Sequence, residues 1–469
     1  MNLTKLNIFS NWTIQFIRIA IVFFTLPILY RKLSNDEFGA YAIFTGLTFC
    51  ISIFDFGIYN FLNKITITFS KYNNEEKYFS GLYYSFGIIK KSLLFIFISG
   101  LMLLFFSRYI FNFSDNFKSQ FDFTLAISIF NNLIFALSTY SLAIIQGKQK
   151  NYLHNIVLIL SYIFTIIVYY VLANGLIFYA YFLIYITLIN LFILVGDFFI
   201  LFKLGGFQIR KTFNNEFENQ ENITTRKHFF LLNIFGFFSS NGDKFILGSL
   251  ANLSTVGIYE IISKPFFLLK TFNSNFFNVY QSKIILLSFK DQAKLITRLT
   301  EILVYFGFII YILSYLFLEN LLIFWLKDDT IGDIASLSRL MIMSFLFSMI
   351  ISPIYRKFLM GRQLKYILKI ELIGGFINAL ISIIGVKFFG FQYVIYGSLI
   401  QYFLTFVFLV YFAFRYSLLK YSFIKILNIF LSIGFIIIGF SNNYILYTMI
   451  LFFLIKILLS KENKILKLL

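Results

Sequence analysis

Apolar segments long enough to cross a bilayer recur along the whole chain, and this feature constrains the fold more than any other. A helical segment needs about 20 residues to span the hydrocarbon core. With 59% hydrophobic and only 13% charged residues, the chain does not have the composition of a soluble protein of 469 residues. The sequence therefore predicts an all-α, polytopic membrane protein.

The apolar segments predict about 14 transmembrane helices. We expect two parallel-related six-helix bundles, in residues 1–210 and 225–415, followed by helices 13 and 14 within 420–469. The longest loop, 203–228, is polar and divides the chain near its middle. The other loops are too short to hold a folded domain, so we expect the protein to act within the bilayer. The helices are predicted at roughly 12–30, 39–62, 86–106, 122–145, 155–173, 176–202, 229–250, 256–282, 300–326, 340–359, 369–389, 392–414, 424–440 and 444–459.

The basic residues predict the orientation of the chain. The formal net charge is +19, and most Lys and Arg residues fall in alternate loops, on the side of both termini. The positive-inside rule places these loops and both termini in the cytoplasm. This distribution argues against nucleic acid as a partner. The predicted cytoplasmic residues include Lys64, Arg356, Lys357 and Lys365.

Residue patterns that would indicate catalysis are missing from the sequence. The one cysteine, Cys50, lies in an apolar segment, so neither a disulfide nor a cysteine-based metal site is expected. His154 and His228 lie in or beside predicted cytoplasmic loops, without sequence partners for a metal site or a triad. No Walker A sequence is present, so we expect neither a cofactor nor direct use of ATP. The prediction is a protein that is not an enzyme.

Two short sequences occur twice at nearly the same offset, which predicts an internal repeat. Phe38-Gly39-Ala40-Tyr41 corresponds to Val256-Gly257-Ile258-Tyr259, and Gly147-Lys148-Gln149 corresponds to Gly361-Arg362-Gln363. An even number of predicted helices separates the equivalent points, so the repeats run parallel across the membrane. Such halves are a transporter architecture, with the substrate site between them.

Polar residues form stripes on predicted helices 1, 2, 7 and 8, which we expect to line a central cleft. Their spacings of three and four residues place them on one face of each helix. The stripes comprise Asn11, Gln15, Arg18 and Thr25; Thr45, Thr48, Ser52, Asp55, Tyr59 and Asn63; Asn233, Ser240, Asp243 and Lys244; and Lys270, Ser274, Asn278 and Gln281.

Charged residues within these spans are the candidate functional residues, because each costs roughly 2.5–3.5 kcal/mol to insert. The hairpin of helices 7 and 8 holds most of them. Cations at successive depths could meet a phosphate as it crosses the membrane. The predicted substrate-binding residues are Arg18, Lys244, Lys264, Lys270 and Asn278. The carboxylates predicted to bind a coupling ion are Asp55, Asp243 and Glu260.

Each candidate also has a simpler interpretation. Glu260 and Lys264 are four residues apart in the order that favours an intrahelical ion pair, which would only neutralise charge. Asp243 and Lys244 are adjacent, so at least one needs a partner elsewhere. Arg18 could extend to the cytoplasmic surface.

Three acidic residues have equally simple alternatives. Asp55 could serve only as a hydrogen-bonding group between helices. Asp197 and Glu371 lie near predicted cytoplasmic helix ends, where we expect them to be solvated.

Short blocks of sequence, in a particular order and spacing, are shared with a known family. They are Gly39-Ala-Tyr41, Asp55-Phe-Gly-Ile58, Asp243-Lys-Phe-Ile-Leu-Gly248, Val256-Gly-Ile-Tyr259, Gly361-Arg-Gln363, Gly374-Gly375-Phe-Ile-Asn378 and Phe389-Gly390. In this arrangement the chain resembles the polysaccharide flippases, which move lipid-linked O-antigen repeat units. These belong to the multidrug/oligosaccharidyl-lipid/polysaccharide exporter superfamily.

The resemblance implies two six-helix lobes, two extra C-terminal helices and alternating access. The implied substrate is an undecaprenyl-pyrophosphate-linked oligosaccharide, which would be moved from the cytoplasmic to the outer face of the bacterial inner membrane. An ion gradient would drive this transport. Implied partners are membrane lipid and the polysaccharide polymerase and assembly proteins.

Two other functions remain open. A membrane glycan polymerase, ligase or glycosyltransferase would need a larger outer loop with catalytic residues. A small-molecule cation exporter of the same superfamily would favour an acidic, aromatic cavity over one containing four basic side chains.

Overall fold

Long α-helices make up nearly all of the chain that the structure describes. The computed structural model describes residues 3–51, 57–72, 75–110, 115–173, 179–204, 220–328, 334–361 and 363–419. Predicted helices 13 and 14 lie outside these ranges. Within them the chain forms 14 helices and no strand: α1 Leu3–Lys32, α2 Asn35–Ile51, α3 Ile58–Tyr72, α4 Glu75–Ile110, α5 Asp115–Gly147, α6 Asn151–Ala173, α7 Tyr179–Lys203, α8 Gln220–Leu250, α9 Leu253–Leu286, α10 Phe289–Leu326, α11 Ala335–Ile350, α12 Ser352–Met360, α13 Leu364–Phe388 and α14 Tyr393–Arg415.

The polarity of these helices is that of a membrane protein. Six of the described helices are long and apolar enough to cross a bilayer, and a seventh span results if α11 and α12 are joined. Helix α10 shows the pattern well: Phe324 is 76% exposed and Phe317 55%, whereas Thr300 and Ser314 are buried. Apolar side chains face outward because lipid surrounds the protein, and polar ones find hydrogen-bond partners inside.

Two helices predicted as single spans are divided. Predicted helix 2 corresponds to α2 and α3, and the residues between them, 52–56, lie outside the described ranges. Predicted helix 10 corresponds to α11 and α12, whose axes differ by 51°. Pro353 lies at the start of α12, where the missing N–H of proline is tolerated. Pro27 and Pro265, in contrast, lie inside continuous helices.

The helices form two bundles, α1–α7 and α8–α14. In the first, α5 packs on α3, α4 and α7, and α6 packs on α1 and α7. In the second, α14 packs on α11 and α13, and α13 also packs on α8. Between the bundles, α2 packs on α9, α1 on α9 and α10, and both α2 and α3 on α8.

The bundles meet closely at the glycines of the predicted repeat. A Cβ atom at Gly39 would lie 1.8 Å from the carbonyl oxygen of Leu253. A Cβ atom at Gly257 would lie 3.4 Å from the amide nitrogen of Gly39. Helices α2 and α9 therefore cross at these two glycines, and at Gly39 only a residue without a side chain allows this approach.

A closely packed apolar seam lies at this end of the interface, which is the predicted outer end. The side chains of Leu26 and Phe38 from the first bundle pack with Ile261, Leu322 and Trp325 from the second. The Trp325 ring stacks on Phe23 with ring centroids 5.3 Å apart. At the rim, the Tyr30 hydroxyl donates a hydrogen bond of 2.7 Å to Asp328. The cavity described below lies between the bundles, away from this end.

Candidate functional site

The α8–α9 hairpin holds a buried cluster of three charges. One Glu260 oxygen lies 2.6 Å from Lys244 Nζ, and the other lies 2.7 Å from Lys264 Nζ. The Glu260 side chain is 4% exposed and that of Lys244 8%, whereas Lys264 remains 20% exposed. The predicted pair of Glu260 and Lys264 is confirmed, and Lys244 joins it. The cluster has one positive charge in excess.

Asp243 points away from these lysines into the second bundle. It is 2% exposed and accepts hydrogen bonds from the hydroxyls of Tyr259 (2.8 Å) and Ser398 (2.7 Å). The Asn378 amide donates a third, at 3.2 Å. These three donors are neutral, so the carboxylate is removed from water without a hydrogen-bonded cation. Hydrogen bonds from neutral groups therefore take the place of water around this carboxylate.

The close approach of α13 and α14 builds the surroundings of Asp243. A Cβ atom at Gly397 would lie 2.3 Å from Asn378 Oδ1, so glycine lets α14 approach α13 and places Ser398 beside the carboxylate. Ser382, one turn beyond Asn378, donates to the Asn378 side chain at 3.1 Å. Neither Asn378 nor Ser398 was among the predicted site residues. The run Ser398, Gln401, Thr405 at helical spacing was the available signal.

An inner cavity of about 530 Å³ lies between α3 of the first bundle and α8, α9, α12, α13 and α14 of the second. Its charged lining residues are Lys270, Arg356 and Glu371. Lys270 Nζ donates a hydrogen bond of 2.6 Å to the Tyr402 hydroxyl and lies 5.0 Å from the centre of that ring. Arg356 donates to the Ser274 hydroxyl at 2.7 Å. The lining is otherwise rich in amide and hydroxyl groups.

Three polar residues occupy positions different from those predicted. Arg356 was expected in a cytoplasmic loop and Glu371 at a solvated helix end, but both are half-buried and line the inner cavity. Asp197 was also expected to be solvated, yet it is fully buried and its Oδ1 lies 2.7 Å from His154 Nδ1. His154 is therefore paired with a carboxylate, a contact that the sequence did not indicate. This pair joins α6 to α7.

The remaining candidates are only partly described. Arg18 is exposed, although it lies on the same face of α1 as the buried residues Ile14, Gln15 and Thr25. Arg18 does not line the inner cavity. Asn278 lies in α9, but its side chain is outside the description, as is Asp55 altogether.

The sequence matches a known family, described as "Polysaccharide biosynthesis protein", over residues 5–280. This match covers more than half of the chain. The chain belongs to that family. No match was found among curated proteins. Membership in the polysaccharide biosynthesis family confirms the resemblance predicted from the sequence blocks.

Solved structures of membrane transporters share the fold of this polysaccharide biosynthesis family member. "Lipid II flippase MurJ, inward closed conformation" has a TM-score of 0.62 and 17% identity, and the alignment covers 98% of each chain. "Crystal structure of MATE in complex with MaL6" has a TM-score of 0.63 and 13% identity, covering 91% of this chain and 100% of that chain. The Vibrio cholerae MATE transporter VcmN in its bent form has a TM-score of 0.59 and 12% identity, covering 89% and 97%. At these identities the likeness shows the fold alone, a helical membrane transporter fold.

Proposed function

We propose that this protein is a flippase that moves an undecaprenyl-pyrophosphate-linked oligosaccharide across the bacterial inner membrane by alternating access. The single observation that carries the proposal is the inner cavity between the bundles, where Lys270 and Arg356 lie among hydroxyl and amide groups. Guanidinium and ammonium groups are suited to a pyrophosphate, and the amides and hydroxyls are suited to sugars. The polyprenyl chain would stay in lipid, and the glycan could be an O-antigen or another surface polysaccharide unit.

The arrangement of the bundles supports alternating access. The seam at Phe38 and Trp325 is apolar and closely packed, whereas the interface contains cavities away from this end. With both termini in the cytoplasm, as proposed from the positive-inside rule, this structure is open toward the cytoplasm. Transport requires the seam to separate while the cavities close.

A buried carboxylate supports coupling to an ion gradient. Asp243 has only neutral hydrogen-bond donors and borders the cavity-forming helices α13 and α14. Loading it with a proton or a small cation would remove a buried negative charge and change how tightly α8, α13 and α14 pack. Asp243 is therefore the preferred coupling site, ahead of Glu260, which already contacts two lysines. Asp55 remains a candidate from the sequence alone.

The other two functions fit the site less well. A cation exporter needs a cavity dominated by carboxylates, whereas Glu371 faces both Lys270 and Arg356 here. A polymerase, ligase or glycosyltransferase needs a cluster of catalytic side chains at the surface. Among the described residues, no group of His, Cys, Asp and Glu side chains is arranged to hold a metal ion.

Surface glycan tests the proposal. Lys270→Gln and Arg356→Gln would each be expressed in cells that lack the native copy, and the glycan on the surface would be quantified. We expect losses of at least about tenfold, because each change removes a charge from the route of the pyrophosphate. Lys290→Gln, an exposed lysine on α10, is the matched control. Normal glycan in both cavity variants, at normal expression, would contradict the proposal.

A further inference from the structure

One carboxylate continues the buried face of α13. Glu371 comes four residues after Ile367 and three before Gly374, and both of these residues are buried. Gly374 lies close to α14, since a Cβ atom there would be 3.1 Å from Cγ of Gln401. Glu371 itself stays partly exposed and lines the inner cavity. A carboxylate is costly at such a place in a membrane protein, so its position indicates a role in the cavity.

The wall of the inner cavity that α9 forms presents Lys270, which aromatic side chains hold in place. Its Nζ atom donates the hydrogen bond to the Tyr402 hydroxyl and lies 5.0 Å and 5.6 Å from the ring centres of Tyr402 and Phe266. These contacts fix the ammonium group but do not cancel its charge, because both partners are neutral. Lys270 is therefore a positioned cation that faces the cavity.

Lys270 and Glu371 influence each other without touching. Glu371 is near enough to feel the charge of Lys270. In the part of the chain that the structure describes, however, neither residue belongs to an ion pair, and Glu371 makes no hydrogen bond. Two opposite charges held apart in this way both act on any charged group that enters between them.

An anion in the inner cavity would be attracted by one of these residues and repelled by the other. Lys270 favours its binding, whereas the carboxylate of Glu371 opposes it, and burial strengthens both effects. A transporter must release what it binds, so its site cannot be too tight. In the empty protein the same carboxylate offsets a cation that is otherwise costly within the bilayer.

We infer that Glu371 is the residue that promotes release of the head group: its carboxylate repels a pyrophosphate bound at Lys270 and so limits the affinity of the inner cavity. This inference rests on the proposed function and adds a specific residue to it. The role differs from that of Asp243, which three hydrogen-bond donors enclose within the second bundle. Glu371 acts through its charge on the substrate itself.

Binding of farnesyl pyrophosphate to the full-length protein, in nanodiscs of neutral phosphatidylcholine, tests the inference. Glu371→Gln removes the charge at nearly constant size, and Glu371→Asp keeps it. Glu319→Gln is the matched control, because it removes the same charge from a side chain that is 49% exposed on α10. Size-exclusion profiles and melting temperatures would establish that the three variants fold.

Glu371→Gln should bind the probe more tightly, by on the order of tenfold, because the repulsion is gone. A merely structural defect would weaken binding, so the direction of the change is decisive. Glu371→Asp and Glu319→Gln should both stay within about threefold of the unmodified protein. Unchanged or weaker binding by Glu371→Gln would overturn the inference. Equal tightening in Glu371→Asp would also overturn it, since the charge would then not be the cause.

Surface glycan provides the second measurement. At normal expression, Glu371→Gln should lower surface glycan by at least about threefold although it binds more tightly, because a head group that leaves slowly limits transport. Normal glycan in this variant would overturn the role in release. A loss of glycan without tighter binding would show a structural role only and would overturn it as well.

The cavity cations separate this inference from the proposed function. If Lys270→Gln and Arg356→Gln lose glycan but Glu371→Gln binds no more tightly than the unmodified protein, only the role of Glu371 is wrong. If both cation variants keep normal glycan, the proposed function itself fails, whatever the binding result.

Discussion

Lys244 Nζ and Glu260 Oε2 are 2.6 Å apart and join α8 to α9 near the hairpin turn. The turn itself is short, since α8 ends at Leu250 and α9 begins at Leu253. Asn252 caps α9 by accepting a hydrogen bond of 2.8 Å from the Thr255 amide. Lys264 occupies the other Glu260 oxygen. The hairpin therefore depends on a carboxylate that two cations share.

Glu260→Gln should destabilise the protein strongly. Lys244 would be left buried without a counter-charge, which costs about 3–5 kcal/mol. The melting temperature of the purified protein would measure this loss. Glu319→Gln is the matched control, because Glu319 is 49% exposed in its pair with Arg339 and such pairs contribute at most about 1 kcal/mol. Similar melting temperatures for the two variants would show that the buried cluster does not support the hairpin.

Asp243→Asn should preserve the fold but abolish the response to the coupling ion. The amide is nearly the same size and can still accept hydrogen bonds from Tyr259 and Ser398, but it carries no charge to be neutralised. An ion that binds only the native state stabilises it by RT ln(1 + c/Kd), where c is the free ion concentration. Melting temperatures would be measured over a sodium series and a pH series. An ion-dependent shift that survives in Asp243→Asn would exclude Asp243 as the coupling site.

Gly39→Val should open the seam between the bundles. The new side chain would collide with the backbone of Leu253, so α2 and α9 must move apart. The measurement is maleimide labelling of Leu322→Cys in a Cys50→Ser background, since Leu322 is fully buried in the seam. Labelling should become faster. Gly375→Val is the control, because a Cβ atom there meets no atom within 4 Å, and faster labelling in that variant would contradict the explanation.

His154→Ala should destabilise the first bundle by roughly 1–3 kcal/mol, because buried Asp197 would lose its partner. Asp197 is fully buried, and its Oδ2 atom already lacks a hydrogen bond. Thermal unfolding would measure the effect, with His228→Ala, at a half-buried position, as the control. Equal stability of the two variants would show that the His154–Asp197 pair makes no net contribution.

Local sequence patterns were sufficient for the fold and for part of the site. Apolar segment length predicted the spans, and the repeat predicted that Gly39 and Gly257 are equivalent. The i,i+4 rule predicted the pairing of Glu260 with Lys264. Each of these three predictions depends on residues that are close in the sequence or on a pattern that recurs along the chain.

Long-range contacts explain what the sequence did not reveal. Two of the three neutral partners of Asp243, Asn378 and Ser398, come from α13 and α14, and no periodicity links those helices to α8. Arg356 and Glu371 were assigned to the cytoplasmic side because each lies close to a helix end, where a charged side chain is usually solvated. Helix α12 continues to Met360 and α13 begins at Leu364, so Arg356 lies about one turn, and Glu371 about two turns, inside the protein.

The 51° bend between α11 and α12 fixes the direction of Arg356. Helix α12 has only nine residues, so a change of angle at the bend would move the Arg356 guanidinium, which lines the inner cavity, together with the whole helix. A rotation of this one short helix would change the depth of a cation in the cavity while the longer helices keep their places.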